Sequence, residues 1–270
     1  MRRCLAGIVL LLSAGVCPAH EDLQVQIDRL SRQIEQEPGR GVLHLRRGEL
    51  HRMHEDWQAA REDLERAAVL DPQLAVVDLS LGRIWNRCGD AARAKTALDR
   101  FLSREPGHAE ALVERARARV RLSDRAGALE DHARALAAFS EPRPDNYIER
   151  SELLREDGRF DEAIRGLEEG LKKIGPALPL HLAILDLELE AGRFDAALAR
   201  VEWIARNSDR KDLWQVRRGE ILVRAGRVRD AAAAFQSALA SIEALPAARR
   251  GTKYTRDLET KARTALEALK

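Results

Sequence analysis

The sequence predicts an all-α fold: a right-handed α-solenoid of six tandem 34-residue helix-turn-helix repeats with a capping helix at each end. Three observations carry this prediction. One pattern of small and large residues restarts near Gly41, Ala75, Ala109, Pro144, Leu178 and Asp212. A period in this range marks units that bury their apolar faces only against their neighbours. Within each unit the twentieth position is alanine (Ala60, Ala94, Ala128, Ala163, Ala197, Ala231), and the eighth is usually small: Gly48, Gly82, Ala116, Ser151 and Gly219, with Leu185 the exception. Finally, no run of Val, Ile and Thr alternates with period two, so a sheet is not expected.

The N-terminal segment reads as a targeting signal. Arg2 and Arg3 precede the apolar run Leu5 to Leu12, and small residues lead to a cleavage site after Ala19. Residues 1–19 therefore read as a secretory signal peptide, too short in its apolar run to span a membrane. The expected location is outside the cytoplasm, periplasmic or secreted if the source is bacterial. Cys17 leaves open the alternative of a lipid anchor.

Residues 20–40 carry one apolar stripe, Leu23, Ile27, Leu30 and Ile34, ending at Pro38. Pro38 precedes Gly41 by the offset at which Pro72 and Pro106 precede the next two units. The segment thus reads as a lone second helix serving as N-terminal cap. In the first full unit, helices are expected over about 42–54 and 58–69, joined by Glu55 and Asp56. Ala60, Leu64, Ala67 and Ala68 share one face of the second helix, and Asp71-Pro72 ends it. The small eighth and twentieth residues let the two backbones approach, so Leu185 should open the crossing in the fifth unit. Gly89, Gly158, Gly192 and Gly226 fit left-handed turns between helices; the first and third units have Glu55 and Ser123 there. The repeats run over 41–246. After a loop over 246–251, Leu258, Ala262, Ala265, Leu266 and Leu269 define an amphipathic C-terminal cap within 247–270. The total is thirteen to fourteen helices.

These residues resemble the tetratricopeptide repeat. The match is best in Leu81-Gly82 with Trp85, Ala94, Leu98 and Pro106, and in Gly219 with Ala231, Phe235 and Ala238. The segments 158–163 and 192–197 fit the turn into the second helix. The third unit is weakest, with Arg119 and His132 at positions usually aromatic or apolar.

The resemblance implies a non-catalytic interaction scaffold that binds a protein or peptide segment on the concave face formed by first helices. Positions two, five, nine, twelve and thirteen should line that face. In this register they give a basic first half, Arg52, Arg83, Arg87, Arg117 and Arg121, diluted by Glu110 and Glu114. The second half is acidic, with Asp145, Glu152, Glu156, Asp186 and Glu190. The alternative for all of them is a solvated helix face laced with i, i+4 pairs. The clamp by which one subgroup holds chaperone C-termini is absent, since Leu45, Glu49, Ser80, Glu110 and Glu114 stand at its positions.

Composition narrows the partner. Removing residues 1–19 takes away Arg2 and Arg3, lowering 46 basic side chains to 44, equal to the 44 acidic ones. That balance argues against a nucleic-acid partner. No catalytic constellation, phosphate loop or cofactor motif appears, so no catalytic residue and no cofactor is expected. His44, His51 and His54 with Glu55 share a helical face, but His44 and His51 occupy packing positions, and His20 has no identifiable second ligand. No metal site is expected. Cys88, the one cysteine after the leader, reads as a semi-buried filler. An oligomer-forming envelope component and, behind it, an enzyme or metal carrier remain the alternative functions.

Overall fold

Each repeat closes as a helix hairpin because its two helices meet at small residues and pass through a left-handed turn. The computed structural model describes residues 18–269, so the expected leader lies almost entirely outside the described residues. Among the described residues there are fifteen helices and no strand, and none of the helices is long and apolar enough to cross a membrane. The described residues form two bodies, divided between Ala138 and Phe139.

The first body contains α1 (Pro18–Gln36), α2 (Gly41–Met53), α3 (Trp57–Leu70), α4 (Ala75–Arg87), α5 (Ala91–Arg104), α6 (Ala109–Arg121) and α7 (Arg125–Ala138). Hairpins α2/α3, α4/α5 and α6/α7 stack in order, with α1 on α2 and the first helices α2, α4 and α6 side by side. The second body contains α8 (Pro144–Glu156), α9 (Phe160–Ile174), α10 (Leu178–Glu190), α11 (Phe194–Arg206), α12 (Lys211–Arg224), α13 (Val228–Glu243), α14 (Ala247–Arg250) and α15 (Lys253–Ala268). Its hairpins are α8/α9, α10/α11 and α12/α13, and α15 packs on α13. Leu258 and Ala262 of α15 join a core with Val216, Leu222, Phe235 and Ile242. The segment expected as a loop over 246–251 contains a helical turn, α14, begun by Pro246 with its fixed φ.

Side-chain volume at each crossing is balanced between the eighth and twenty-fourth positions of the unit. A Cβ on Gly82 would lie 2.5 Å from Leu98, one on Gly48 3.0 Å from Leu64, and one on Gly219 2.6 Å from Phe235. In the fifth unit the larger Leu185 is matched by the smaller Val201, and both are buried in one cluster. The α10/α11 crossing is correspondingly the loosest of the six. His132, the unusual twenty-fourth residue of the third unit, is buried, as is Ala116 at its eighth position.

All six hairpin turns pass through positive φ at the fifteenth position. Gly89, Gly158, Gly192 and Gly226 do so freely, while Glu55 (φ 63°) and Ser123 (φ 64°) adopt the same conformation with a side chain. The sixteenth position distinguishes the two bodies. In the first, Asp56, Asp90 and Asp124 accept hydrogen bonds from the backbone N–H of Ala59, Arg93 and Gly127, capping the second helices. In the second, Arg159, Arg193 and Arg227 occupy this place. Arg193 pairs with Asp161 of the preceding turn, and Arg227 Nη1 donates to Asp195 at 3.1 Å.

Three repeats bury charge inside their hairpins. Asp63 accepts two 2.7 Å bonds from Arg47, and His44 Nδ1 lies 3.1 Å from it. Asp131, fully buried, accepts bonds of 2.7–2.8 Å from Arg115 and pairs with Arg119 Nη1 at 2.9 Å. Arg119 and His132, which made the third unit the weakest match, therefore lie inside this hairpin or at its buried ion pair. In the fifth unit the order of charges is reversed, and Arg200 of α11 donates to the buried Glu188 of α10 at 2.9 Å.

Arg200 Nη1 also lies 3.3 Å from Nδ1 of His181, whose ring stacks on Trp203 at 3.7 Å. Burial, and then the Arg200 charge, hold the His181 pKa below that of a free imidazole. The unfolded chain therefore takes the proton first. Stability from this site is complete above the unfolded histidine pKa of about 6.5 and is lost as pH falls through the lower folded value. The thermal midpoint is expected to fall between about pH 7 and pH 5.5, and His181→Phe, which keeps a ring on Trp203, should flatten that dependence. Equal pH dependence in wild type and variant would place the titrating group elsewhere.

Candidate partner-binding site

The first helices of the first body hold the arginines singled out in the sequence. Arg52 on α2, Arg83 and Arg87 on α4, and Arg117 and Arg121 on α6 all line one open cavity of about 720 Å³. They converge because positions nine, twelve and thirteen recur on the same face of adjacent helices one period apart. Met53, Glu55, Trp57, Asn86 and Glu114 complete the lining.

The basic face is interleaved with acids. Arg52 Nε donates to Glu49 at 3.0 Å, Arg83 pairs with Glu110, and Arg117 Nη1 donates to Glu114 at 2.8 Å. Asn86, 4% exposed, donates its Nδ2 to the Glu114 carboxylate at 2.7 Å and to the Glu114 carbonyl at 2.9 Å. Its Oδ1 accepts from Arg121 Nη1 at 3.2 Å. The Arg87 guanidinium lies 5.3 Å from the centroid of Trp57. Charge-only reading of the register passed over Asn86, although it stands at the twelfth position. Trp57 lies outside that register because it opens the second helix; only its place after the Glu55-Asp56 turn could have pointed to it.

The acidic residues of the second body are less concentrated. Glu152 and Asp186 share a groove of about 260 Å³ with Ile148, Arg155, Ala183 and Leu187. Glu190 accepts from Arg155 at 2.9 Å and lines a different hollow with Arg159, Asp161 and Arg193. Asp145 and Glu156 are exposed at the two ends of α8. Of the five acids, then, two form a common surface.

The histidines of the first unit serve its interior. His44 and His51 face Asp63, at 3.1 and 4.0 Å, where Arg47 already supplies the positive charge. Among the described residues no cluster of three or more His, Cys, Asp or Glu is arranged to hold a metal ion. Cys88 is exposed rather than the semi-buried filler expected. It follows Arg87 as the C-cap of α4, beyond the last residue that packs into the hairpin.

Successive helix hairpins, with α2, α4 and α6 side by side in the first body, define the class of α-helical repeat folds. Within the chain, residues 182–249 match the tetratricopeptide repeat family. Its fold is similar to that of a tetratricopeptide repeat protein from Parabacteroides merdae ATCC 43184, with a TM-score of 0.58, 19% identity, and 91% of this chain and 94% of the other covered. It is also similar to MamA, with a TM-score of 0.56, 20% identity, and 63% and 93% covered. A third similar structure, YrrB, is described as a TPR protein with an unusual peptide-binding site, with a TM-score of 0.55, 15% identity, and 66% and 91% covered. No curated protein matches the sequence.

Proposed function

We propose that this chain is a non-catalytic scaffold that holds a segment of another protein against α2, α4 and α6, and that it works outside the cytoplasm after export by the leader read at residues 1–19. The observation that carries the reading is the convergence of five arginines from three repeats on one cavity. The family's fold and the peptide-binding site named for YrrB support a protein ligand.

The test is a photocrosslinking side chain at Met53, which is 59% exposed on the cavity rim, compared with one at Val69 near the end of α3, 72% exposed. In cells a discrete adduct with a second protein is expected from Met53 and not from Val69. An adduct with a second copy of this chain would favour the oligomer-forming alternative, and equal labelling at both positions would remove the reading. N-terminal sequencing of the exported protein should begin at His20; a lipid on Cys17 would replace the soluble form with the anchored one.

A further inference from the structure

The five arginines of the cavity are not equivalent. Arg52, Arg83 and Arg117 are paired with Glu49, Glu110 and Glu114. Among the described residues Arg87 and Arg121 have no ion pair: the first lies over the Trp57 ring, and the second donates to the neutral oxygen of Asn86. Resting on the scaffold reading above, we infer that Arg87 and Arg121 form a carboxylate receptor for an acidic protein segment that carries an apolar residue beside its acid.

Both guanidiniums are held in place by groups that leave their charge intact. The Trp57 ring lies 5.3 Å from the Arg87 guanidinium carbon and attracts its charge without supplying an anion, so that charge is uncompensated. Asn86 spends its amide nitrogen on Glu114, which fixes the side chain and presents Oδ1 to Arg121. That bond uses one of five guanidinium donors, so a planar carboxylate can still be met by a fork. The Trp57 ring and the exposed Met53 side chain provide the apolar surface for the neighbouring residue.

The acids in the same cavity decide against a polyphosphate chain. Glu55 and Glu114 line it, and Glu49 and Glu110 adjoin its arginines. A nucleic-acid backbone would bring a charge past each of them, whereas a peptide can place isolated carboxylates at the two uncompensated arginines.

The proposal is tested by fluorescence anisotropy on the intact mature chain with three labelled probes: a short peptide repeating Glu-Leu-Ser, its Gln-Leu-Ser counterpart, and a single-stranded oligonucleotide. The acidic peptide should bind about tenfold or more tightly than the amide peptide, with the difference shrinking at high salt. Arg87→Glu/Arg121→Glu should weaken it about tenfold, while Arg46→Glu/Arg66→Glu, exposed and outside the cavity, changes net charge equally and should leave binding unaltered. Arg87→Lys/Arg121→Lys, which keeps charge but loses the fork, should fall between, and unchanged thermal melts will show that each variant is folded. Equal binding of the two peptides, binding of neither, equal loss in both reversal variants, or tighter binding of the oligonucleotide would each overturn the assignment. If Met53 crosslinking captures the partner as efficiently in the Arg87→Glu/Arg121→Glu protein as in wild type, the scaffold reading stands and the carboxylate assignment alone fails.

Discussion

Asp131→Ala is expected to cost about 3–5 kcal/mol, because it leaves the guanidiniums of Arg115 and Arg119 without their shared counter-ion inside the hairpin. Arg115→Leu/Asp131→Ala should recover most of that loss, since the Arg115 charge is removed with its partner and Arg119 keeps Asp124 at 3.4 Å. The protein already contains this solution: Leu81 and Ala97 occupy the corresponding positions of the second unit, and both are buried. Arg115 also bonds Asp99 at 2.8 Å, but Asp99 keeps Lys95 at 2.7 Å in the double variant. Urea unfolding followed by circular dichroism, with hydrogen exchange over residues 109–138, measures both effects. A double variant as unstable as Asp131→Ala would show that the loss comes from packing and not from unpaired charge.

The second large effect is expected at Gly219. The Cβ added by any substitution there meets the Phe235 ring, which is 1% exposed within the core that holds Val216, Leu222 and Ile242. Gly219→Leu should therefore destabilise by about 1–3 kcal/mol or more. Adding Phe235→Val reproduces the Leu185 and Val201 pair of the fifth unit and should recover most of that loss. A double-mutant cycle in thermal melts reads the coupling directly. Additive losses would mean that the two positions do not share a volume constraint, contrary to the close approach of Gly219 and the Phe235 ring.

The repeat architecture was legible because the steric demand at a helix crossing admits few residues. Alanine at the twentieth position and small residues at the eighth set the period, and the first helices begin at the expected residues or, for α12 at Lys211, one residue earlier. The cavity arginines were legible for a related reason, since register alone brings position nine of one first helix beside that of the next. Their partners were not. Asn86 and Glu114 are 28 residues apart and meet only when α4 and α6 lie side by side. The buried Arg/Asp pairs were hidden because charge on a helix ordinarily marks a solvated face. The signal that could have revealed them is the repeated sixteen-residue separation in Arg47/Asp63 and Arg115/Asp131. Nor does sequence composition announce that Glu55 and Ser123 adopt the left-handed turn; there the hairpin imposes the conformation on residues that do not prefer it.

The arginine and aspartate pairs between successive turns of the second body have a consequence for how the array can change in length. Arg193 meets Asp161 and Arg227 meets Asp195, each across 32 residues. Asp195 is 94% exposed, so these contacts contribute little to stability. Their significance is one of phase. One inserted residue within a hairpin would put the next turn out of step with its predecessor, whereas gain or loss of a whole hairpin would give each remaining turn a neighbour of the same kind. Duplication and deletion by complete units is thus the tolerated mode of length change, and the helix pair, not the single helix, is the cassette that can be exchanged.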